Sequence, residues 1–310
     1  MIMKKLIEEV KGTKCKIGFP EAEDERILKA VEKALENQMI IPIFIGKEDK
    51  IKEKINKLNL DKLKDIEIIN TDKDSLEFAC DLLNKNKIEG IVAGAIYTSK
   101  KVLIDTIRLI GTEEGNRTIS SFFLMEIPNW EGGENSHLIF ADCAVNINPS
   151  EDRLSDIAIS TAKSAKDLFG WNPKIAMLSF STKGSASHEM IDKIKNAAEL
   201  AKGRMPNLKI DGEIQADTAL VIETAIKKMN ENEIGEVAGK ANILIFPDLN
   251  SANISYKLIE ILCKGAEAYG PILQGTKKPI SDLSRGSDIE DIYGTIAIVC
   301  KKILIKRMKI

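Results

Sequence analysis

A short segment near the C-terminus concentrates residue types that could do chemistry. It runs from Gly265 to Tyr293, reads GAEAYGPILQGTKKPISDLSRGSDIEDIY, and combines glycine-rich turns with a serine, an arginine and several acids. An arginine beside a serine at a glycine turn, as at Ser284 and Arg285, can hold phosphate oxygens bidentately. Asp291, seven residues after that serine, offers a proton acceptor. These groups would suit transfer of an acyl group between phosphate and a thiol.

The residues before Asp291 predict how it is positioned. Ser287-Asp-Ile-Glu290 has the spacing of a capping box, so we expect a helix to open at Ser287, with Asp291 in its first turn and facing Ser284 and Arg285. An ordinary aspartate is a weak base for a thiol, because their pKa values of about 3.9 and 8.5 differ by roughly 6 kcal/mol. Burial or stabilisation of the thiolate would have to offset that difference. The alternative is that Asp291 only caps its helix and pairs with Arg285.

The scaffold for these residues is predicted from the alternation along the chain. Short β-rich runs alternate with longer helical patterns, which is typical of parallel sheets with crossover helices, so the fold class is α/β. The polar, glycine-rich stretch PNWEGGENS at 128–136 is the best marker of a boundary. We therefore predict one α/β domain at 1–133 plus 287–310 and a second at 134–286. The predicted strands are 14–19, 41–45, 66–69, 90–95, 118–125, 138–144, 175–180 and 243–247.

Length and composition indicate a globular protein and disfavour nucleic-acid-binding, secreted and membrane proteins. A chain of 310 residues with 44% apolar content can bury roughly three quarters of its unfolded surface, and two domains are expected. The 45 basic and 47 acidic residues are interleaved, so nucleic acid is not expected as a partner. The charged N-terminus does not resemble a signal peptide, and no run approaches a membrane span. We expect a cytoplasmic protein without membrane contacts.

Cysteine and histidine suggest neither a disulfide framework nor a metal site. The five cysteines are far apart, odd in number and without C-x-x-C spacing, so buried reduced thiols are expected. The two histidines, His137 and His188, have no ligand-like neighbours. Surface roles are expected for both, and no metal is predicted.

Six motifs spread over most of the chain are informative when taken together. They are Phe19-Pro-Glu-Ala-Glu-Asp-Glu-Arg26, Phe140-Ala-Asp-Cys-Ala144, Met177-Leu-Ser-Phe-Ser-Thr-Lys-Gly-Ser185, Asp211-Gly-Glu-Ile-Gln215, Phe246-Pro-Asp-Leu-Asn250 and Asp282-Leu-Ser-Arg-Gly286. In their order and spacing these motifs resemble the phosphate acetyltransferase family, which has the phosphate butyryltransferases as close relatives. The resemblance implies two α/β domains with largely parallel sheets and flanking helices, of the isocitrate/isopropylmalate dehydrogenase-like type, with the active site in the interdomain cleft. It usually implies a homodimer.

The resemblance also implies an activity and roles. The family's enzymes interconvert acetyl phosphate plus coenzyme A with acetyl-coenzyme A plus phosphate, in acetate metabolism. By this resemblance Asp291 is the general base for the thiol, Ser284 orients the thiol, and Arg285 holds the acyl phosphate. The thiolate then attacks directly in a ternary complex. Coenzyme A, acyl phosphate and phosphate are small-molecule substrates, so no permanently bound cofactor is expected.

Further substrate-binding candidates follow predicted strands. Hydroxyls and amides at Ser181 and Thr182 could bind phosphate or pantetheine, although capping by Ser185 explains that turn nearly as well. The amides and ammonium of Lys257 could meet an anion at a helix start, the alternative being a solvated lysine beside a core tyrosine. By resemblance a substrate phosphate lies near Ser120 and Ser121, of which an alternating strand points one inward regardless. The set is Ser120, Ser121, Ser181, Thr182, Asn253, Tyr256, Lys257 and Gly275.

The chain departs from the family at two cationic positions. Family members commonly carry an arginine on the helix after Gly94-Ala-Ile-Tyr-Thr98, where this chain has Ile104, with Arg108 one turn later and Lys100 one turn earlier. The segment 70–90 looks too short for a helical insertion that carries a second arginine. Two lost charge-assisted hydrogen bonds, at roughly 1.5 to 3 kcal/mol each, would weaken substrate binding.

These departures keep other functions open. One is a propionyl- or butyryltransferase, and another is a catalytically weak homologue that serves as a binding subunit. An NAD- or metal-dependent dehydrogenase of the same fold type is disfavoured, because no G-x-G-x-x-G follows a predicted strand.

Overall fold

The computed structural model describes residues 2–230 and 234–308. The helices are α1 Ile2–Val10, α2 Glu25–Glu36, α3 Glu48–Lys57, α4 Ser75–Asn84, α5 Ser99–Asp105, α6 Glu151–Phe169, α7 Glu189–Arg204, α8 Ala216–Leu220, α9 Ile222–Lys228, α10 Leu249–Leu262 and α11 Ile289–Met308. The strands are β1 Cys15–Phe19, β2 Ile40–Gly46, β3 Ile68–Asn70, β4 Gly90–Ala93, β5 Ser120–Glu126, β6 His137–Ala141, β7 Lys174–Leu178, β8 Lys209–Ile214, β9 Ile243–Ile245, β10 Glu267–Gln274 and β11 Ile280–Asp282.

The chain forms two compact units. Unit 1 comprises Met1–Glu114 with Pro271–Ile310, and unit 2 comprises Gly115–Gly270. The predicted boundaries, after residues 133 and 286, lie further along the chain than these limits. Strand β5 explains the first difference, because it is hydrogen-bonded to β6 within unit 2. Residues 1, 231–233, 309 and 310 of the predicted domains lie outside the described residues.

Unit 1 is built on a parallel sheet with the strand order β11-β4-β1-β2-β3. Strand β1, CKIGF, is apolar along most of its length and largely buried, as is typical of a parallel strand covered on both faces. Helix α2 follows it and buries Ile27, Leu28 and Val31 at helical spacing. Its N-cap is Asp24, which accepts a hydrogen bond from the Arg26 N–H. This sheet positions the turn that contains Ser284 and Arg285, because β11 leads directly into that turn.

Unit 2 contains most of a mixed sheet with the order β10-β5-β6-β9-β7-β8, of which β10 continues past the limit of the unit at Gly270. The β5–β6 pair is antiparallel, whereas β6, β9, β7 and β8 pair in parallel. Helix α6 ends at Gly170, whose φ of 71° is in the left-handed region that favours glycine. The predicted fold class, α/β with largely parallel sheets and flanking helices, is confirmed.

All eight predicted strands occur, with ends shifted by a few residues. Three strands were missed: β8, β10 and β11. Their sequences explain why, since β8 and β10 contain glycine with acidic or proline residues, and β11 is three residues long. In these segments sheet pairing overrides weak local preference.

Two smaller expectations are corrected. Four cysteines are buried, but Cys263 is exposed at the end of α10. His137 was expected at the surface, yet it is 7% exposed on β6, where its Nε2 lies 3.4 Å from the Glu126 Oε2. Cross-strand pairing of these two residues buries the imidazole. Within residues 2–230 and 234–308, no helix combines the length and apolar character needed to cross a membrane.

Candidate active site

The start of α11 differs from the predicted capping box by one residue. The Asp291 N–H donates to the Asp288 Oδ1 at 2.9 Å, and the Asp288 N–H donates to the Asp291 Oδ2 at 3.0 Å. These reciprocal bonds make Asp288 the cap, so the predicted box of Ser287 and Glu290 is wrong. Ser287 is buried, and Glu290 pairs with Lys33 at 2.5 Å instead. Asp291 is nevertheless in the first turn of the helix, as predicted.

The turn between β11 and α11 presents Ser284 and Arg285 at the surface. The Ser287 N–H donates to the Ser284 carbonyl at 2.9 Å, and the Gly286 N–H donates to the Ser284 Oγ at 3.3 Å. Arg285 lies at the apex of this turn. Ser284 and Arg285 therefore lie on the connection between β11 and α11, Asp291 lies in the first turn of α11, and solutes can reach all three.

A neighbouring loop in unit 1 is organised by the buried carboxylate of Glu21. Its two oxygens accept four successive backbone N–H groups, from Gly94 at 2.6 Å, Ala95 at 2.9 Å, Ile96 at 2.7 Å and Tyr97 at 2.5 Å. A row of amides of this kind would otherwise suit an anion. Glu21 already supplies that negative charge, so these four amides do not serve a substrate phosphate.

Asp282 is a buried acid directly before the exposed turn. It is 2% exposed, and its Oδ1 has no hydrogen-bond partner within the described residues. Burial raises the pKa of this carboxyl to about 7, the nearby Glu21 carboxylate adds to the shift, and a hydrogen bond with Ser99 opposes it. A Cβ at Gly94 would lie 2.5 Å from the Asp282 Oδ1, so only glycine fits opposite this acid.

In unit 2 the hydroxyls predicted to bind substrate hold the protein's own loops. Ser120 and Ser121 are both fully buried. The Ser121 Oγ donates to the Asp142 Oδ1 at 2.6 Å. The Asp142 carboxylate also accepts the N–H groups of Ala144 and Asn146, at 3.1 and 2.9 Å. Asp142 thus shapes the loop after β6 as Glu21 shapes the loop after β4.

Ser181 and Thr182 are buried in a similar arrangement. The Ser181 Oγ donates to the Glu213 Oε1 at 3.3 Å. The Glu213 Oε1 also accepts the Gly184 N–H at 2.6 Å. The Thr182 Oγ1 donates to the Gln215 Oε1 at 3.3 Å. The alternative that Ser185 caps the next helix is wrong, because α7 begins at Glu189 with His188 as its N-cap.

The candidates on α10 have separate environments. Tyr256 is buried and stacks on Phe123 with ring centroids 4.2 Å apart, which matches the core-tyrosine alternative. The Asn253 Nδ2 donates to the Cys143 carbonyl at 3.3 Å. Lys257 is exposed, but α10 begins at Leu249. The amide of Lys257 is therefore in the helix interior, and the expected anion site at a helix start is wrong for it.

The remaining positions named from the sequence lie in unit 1. Gly275 has a φ of 76°, and its carbonyl accepts the Glu113 N–H at 2.9 Å. At the position of the family arginine, Ile104 is exposed, as is Lys100. Arg108 is bound by Glu77 and by Asp105, so two acids already neutralise it.

Five charged residues that organise these loops were not singled out from the sequence. All of them lie inside the motifs quoted above, at or shortly after strand ends, and that coincidence is the signal that could have identified them. Within the described ranges, no cluster of three or more His, Cys, Asp or Glu side chains could hold a metal ion. The missed residues are Glu21, Arg26, Asp142, Glu213 and Asp282.

Comparison with known proteins identifies the family. The sequence model of the phosphate acetyl/butaryl transferase family matches residues 1–76 and 71–300. The phosphate acetyltransferase of Clostridium acetobutylicum is 42% identical, over 96% of this chain and 97% of that protein. The phosphate acetyltransferase of Thermoanaerobacterium thermosaccharolyticum is 40% identical over the same shares. The crystal structure of a phosphotransacetylase from Streptococcus pyogenes superposes with a TM-score of 0.91, at 36% identity over 98% of both chains.

Proposed function

The chain belongs to the phosphate acetyl/butaryl transferase family, and we propose that it interconverts acetyl phosphate plus coenzyme A with acetyl-coenzyme A plus phosphate. The observation that carries this proposal is the 42% identity to a phosphate acetyltransferase over 96% of the chain. The proposal is supported by Ser284 and Arg285, in the turn after β11, and by Asp291, in the first turn of α11. Coenzyme A is then a substrate, with acyl phosphate and phosphate as the other small-molecule partners.

In the proposed mechanism Asp291 accepts the proton of the coenzyme A thiol. The thiolate forms a bond to the carbonyl carbon of acetyl phosphate, the bond from that carbon to the phosphate oxygen breaks, and phosphate leaves. Arg285 holds the phosphate through a bidentate contact, and Ser284 orients the thiol. The exposure of Ser284, Arg285 and Asp291 supports these roles, because substrates can reach all three. Since Asp291 is exposed, burial does not strengthen it as a base, and stabilisation of the thiolate must offset the difference between the two pKa values.

The unit 2 candidates receive narrower roles. We propose that Ser120, Ser121, Ser181 and Thr182 shape substrate-binding loops, because the hydroxyls of the last three are bonded within the protein. Lys257 is the exposed cation of the set and is proposed to contact a phosphate group. Asn253 and Tyr256 then support the helix that carries it, and Gly275 allows a turn that other residues would strain.

We also propose a cytoplasmic homodimer without a permanently bound cofactor. One face of α10 supports the dimer, because Ile254, Leu258 and Ile261 are 56%, 51% and 78% exposed. Their spacing places them in one apolar stripe. A second copy of this chain is the proposed occupant, in keeping with the resemblance described above.

The activity is tested by mixing the purified protein with coenzyme A and acetyl, propionyl or butyryl phosphate. Thioester formation is followed by ultraviolet absorbance without NAD or added divalent metal. We expect turnover with acetyl phosphate to exceed turnover with the longer acyl phosphates. A faster reaction with butyryl phosphate would correct the substrate, and no turnover with any acyl phosphate would refute the proposed function.

A further inference from the structure

We propose that Arg26 is a positioning residue that fixes the Ser284–Ser287 turn by binding its backbone carbonyls. This inference rests on the proposed function, since Arg285 in that turn is the proposed phosphate ligand. Arg26 lies at the start of α2, far from the turn in sequence but in contact with it within unit 1. No part of its role requires contact with a substrate.

The guanidinium of Arg26 binds two carbonyl groups of the turn. Its Nη1 donates to the Arg285 carbonyl at 2.8 Å and to the Ser287 carbonyl at 2.9 Å. These carbonyls flank Gly286, which has no side chain to restrict the backbone there. The contacts therefore fix the peptide plane between Arg285 and Gly286 and the one between Ser287 and Asp288. Held at both places, the turn has a defined direction in which the Arg285 side chain leaves.

The guanidinium is itself held by the rigid part of unit 1. Its Nε donates to the Asp24 Oδ1 at 3.1 Å, and its Nη2 donates to the Asp24 Oδ2 at 2.7 Å. Asp24 is the N-cap of α2, whose apolar face is buried. The Nη2 also donates to the Ala95 carbonyl at 3.0 Å. Arg26 thus connects the turn to the helix start and to the loop that Glu21 organises.

Arginine is the side chain that this arrangement requires. Its planar fork presents five N–H donors in fixed directions, whereas a lysine ammonium is a point charge with three donors. Three carbonyls and one carboxylate surround the fork. A lysine ammonium cannot reach all of these acceptors at once. A positive charge at position 26 is therefore not sufficient to fix the turn.

The kinetic test compares Arg26→Gln and Arg26→Lys with a matched control, Arg307→Gln. Arg307 makes the same kind of contacts, to both Glu89 oxygens at 2.8 and 2.6 Å and to the Thr13 carbonyl at 3.3 Å. It lies on α11 about 24 Å beyond Asp291. We expect both Arg26 variants to lose about tenfold to a hundredfold in kcat/KM for acetyl phosphate, since small misplacements of binding groups are costly. The KM for coenzyme A should change much less.

Arg307→Gln should lower the thermal midpoint comparably and keep the kinetics of the wild type. Equal kinetic losses in the Arg26 and Arg307 variants would overturn the inference, because they would reflect general destabilisation. Full activity of Arg26→Lys would overturn it as well, because the charge rather than the fork would then suffice.

A double-mutant cycle tests whether Arg26 acts through Arg285. Once Arg285→Lys has removed the phosphate ligand, adding Arg26→Gln should cost little further activity, because coupled residues are not additive. If the fold-loss of activity in the double variant equals the product of the losses in the two single variants, Arg26 acts independently of Arg285, which would contradict the proposal.

Backbone hydrogen exchange tests the positioning role without any activity. In Arg26→Gln the amides of residues 284–288 should exchange faster than in the wild type, while Arg307→Gln leaves their exchange unchanged. Unchanged exchange in Arg26→Gln would overturn the inference. Absence of acyl transfer by the wild type would refute only the proposed function, and the exchange result would still decide the role of Arg26.

Discussion

At the scale of single residues, buried acids carry much of the local order. Glu21, Asp142 and Glu213 are each at most 4% exposed, and the carboxylate of each accepts at least one backbone N–H of a nearby loop. Desolvation of a carboxylate is costly unless such bonds compensate for it. Asp282 differs, because its Oδ1 has no partner within the described part of the chain. The ionisation of Asp282 should therefore be visible in the stability of the fold.

The free energy of unfolding should fall as the pH rises, because the carboxyl of Asp282 has a raised pKa in the folded protein. Its pKa in the folded protein is raised to about 7, from 3.8 in the ordinary aspartate. Below pH 3.8 the Asp282 carboxyl is protonated in both the folded and the unfolded state, so it does not make stability depend on pH. Between that value and about 7 the unfolded state loses the proton first, so the free energy of unfolding falls by up to about 1.4 kcal/mol per pH unit.

Denaturant unfolding of the wild type and of Asp282→Asn from about pH 4 to 8 checks this expectation. The difference between the two proteins isolates Asp282 from other titrating groups. As pH rises, the free energy of unfolding of the variant should increase relative to that of the wild type. This difference should stop growing above about pH 7. A difference independent of pH would contradict the raised pKa.

The proposed base can be separated from the helix cap. Asp291→Asn keeps an oxygen that can accept the Asp288 N–H, but it removes the carboxylate that takes the proton. Turnover should fall at least about a hundredfold with little change in stability. The matched control is the neighbouring exposed Glu290→Gln, which makes the same charge change and should retain turnover. Near-normal turnover of Asp291→Asn would leave Asp291 with the capping role alone.

At the scale of elements, the start of α11 shows what local sequence can decide. The pattern Ser-Asp-Ile-Glu-Asp contains two overlapping boxes, one from Ser287 to Glu290 and one from Asp288 to Asp291. Both residue types are good caps. The burial of Ser287 and the pairing of Glu290 with Lys33 select the second box. These are tertiary facts, so the sequence predicted the element and its first turn but not its cap.

Removal of this cap should weaken the helix start measurably. Asp288→Ala is expected to lower the free energy of unfolding by about 1 kcal/mol, because the Asp291 N–H loses its acceptor. Chemical denaturation gives the difference directly. Glu290→Ala serves as the comparison and should cost less than about 0.5 kcal/mol, as is usual for an exposed position. The reverse order of the two variants would support the box at Ser287.

The same division between local and tertiary information applies to the candidate site. Ser284, Arg285 and Asp291 are candidates from the sequence because serine, arginine and acid are close together in it. The roles of Glu21 and Arg26 depend on partners far along the chain, at Gly94–Tyr97 and at Arg285 and Ser287. Motif residues could be recognised without the structure, but their contacts could not. Strands with continuous apolar runs were predicted, whereas β11 depends on pairing with β4.

At the scale of the whole molecule, the two units carry different parts of the proposal. Unit 1 holds the proposed phosphate ligand in the turn after β11 and the proposed base at the start of α11. Unit 2 holds α10 with its exposed apolar stripe. That stripe leaves three large apolar side chains exposed to water. Association of two copies would remove it from solvent.

Charge placed on the stripe should therefore disrupt the proposed homodimer. Leu258→Glu and Ile261→Glu are expected to shift the protein from dimer to monomer in light scattering coupled to size-exclusion chromatography. Ile104→Glu is the control, since it places the same charge on an exposed isoleucine of unit 1 and should leave the molar mass unchanged. A wild-type protein that is monomeric throughout the accessible concentration range would refute the proposed homodimer.

The division of the chain also orders its assembly during synthesis. Unit 2 is one continuous segment, Gly115–Gly270, whereas unit 1 is split around it. Every contact within unit 2 is available to a nascent chain once Gly270 has left the ribosome. The sheet of unit 1 must wait for β11, which pairs with β4 across most of the sequence. The inserted unit can therefore fold first, and the proposed phosphate ligand and base are among the last parts to be put in place.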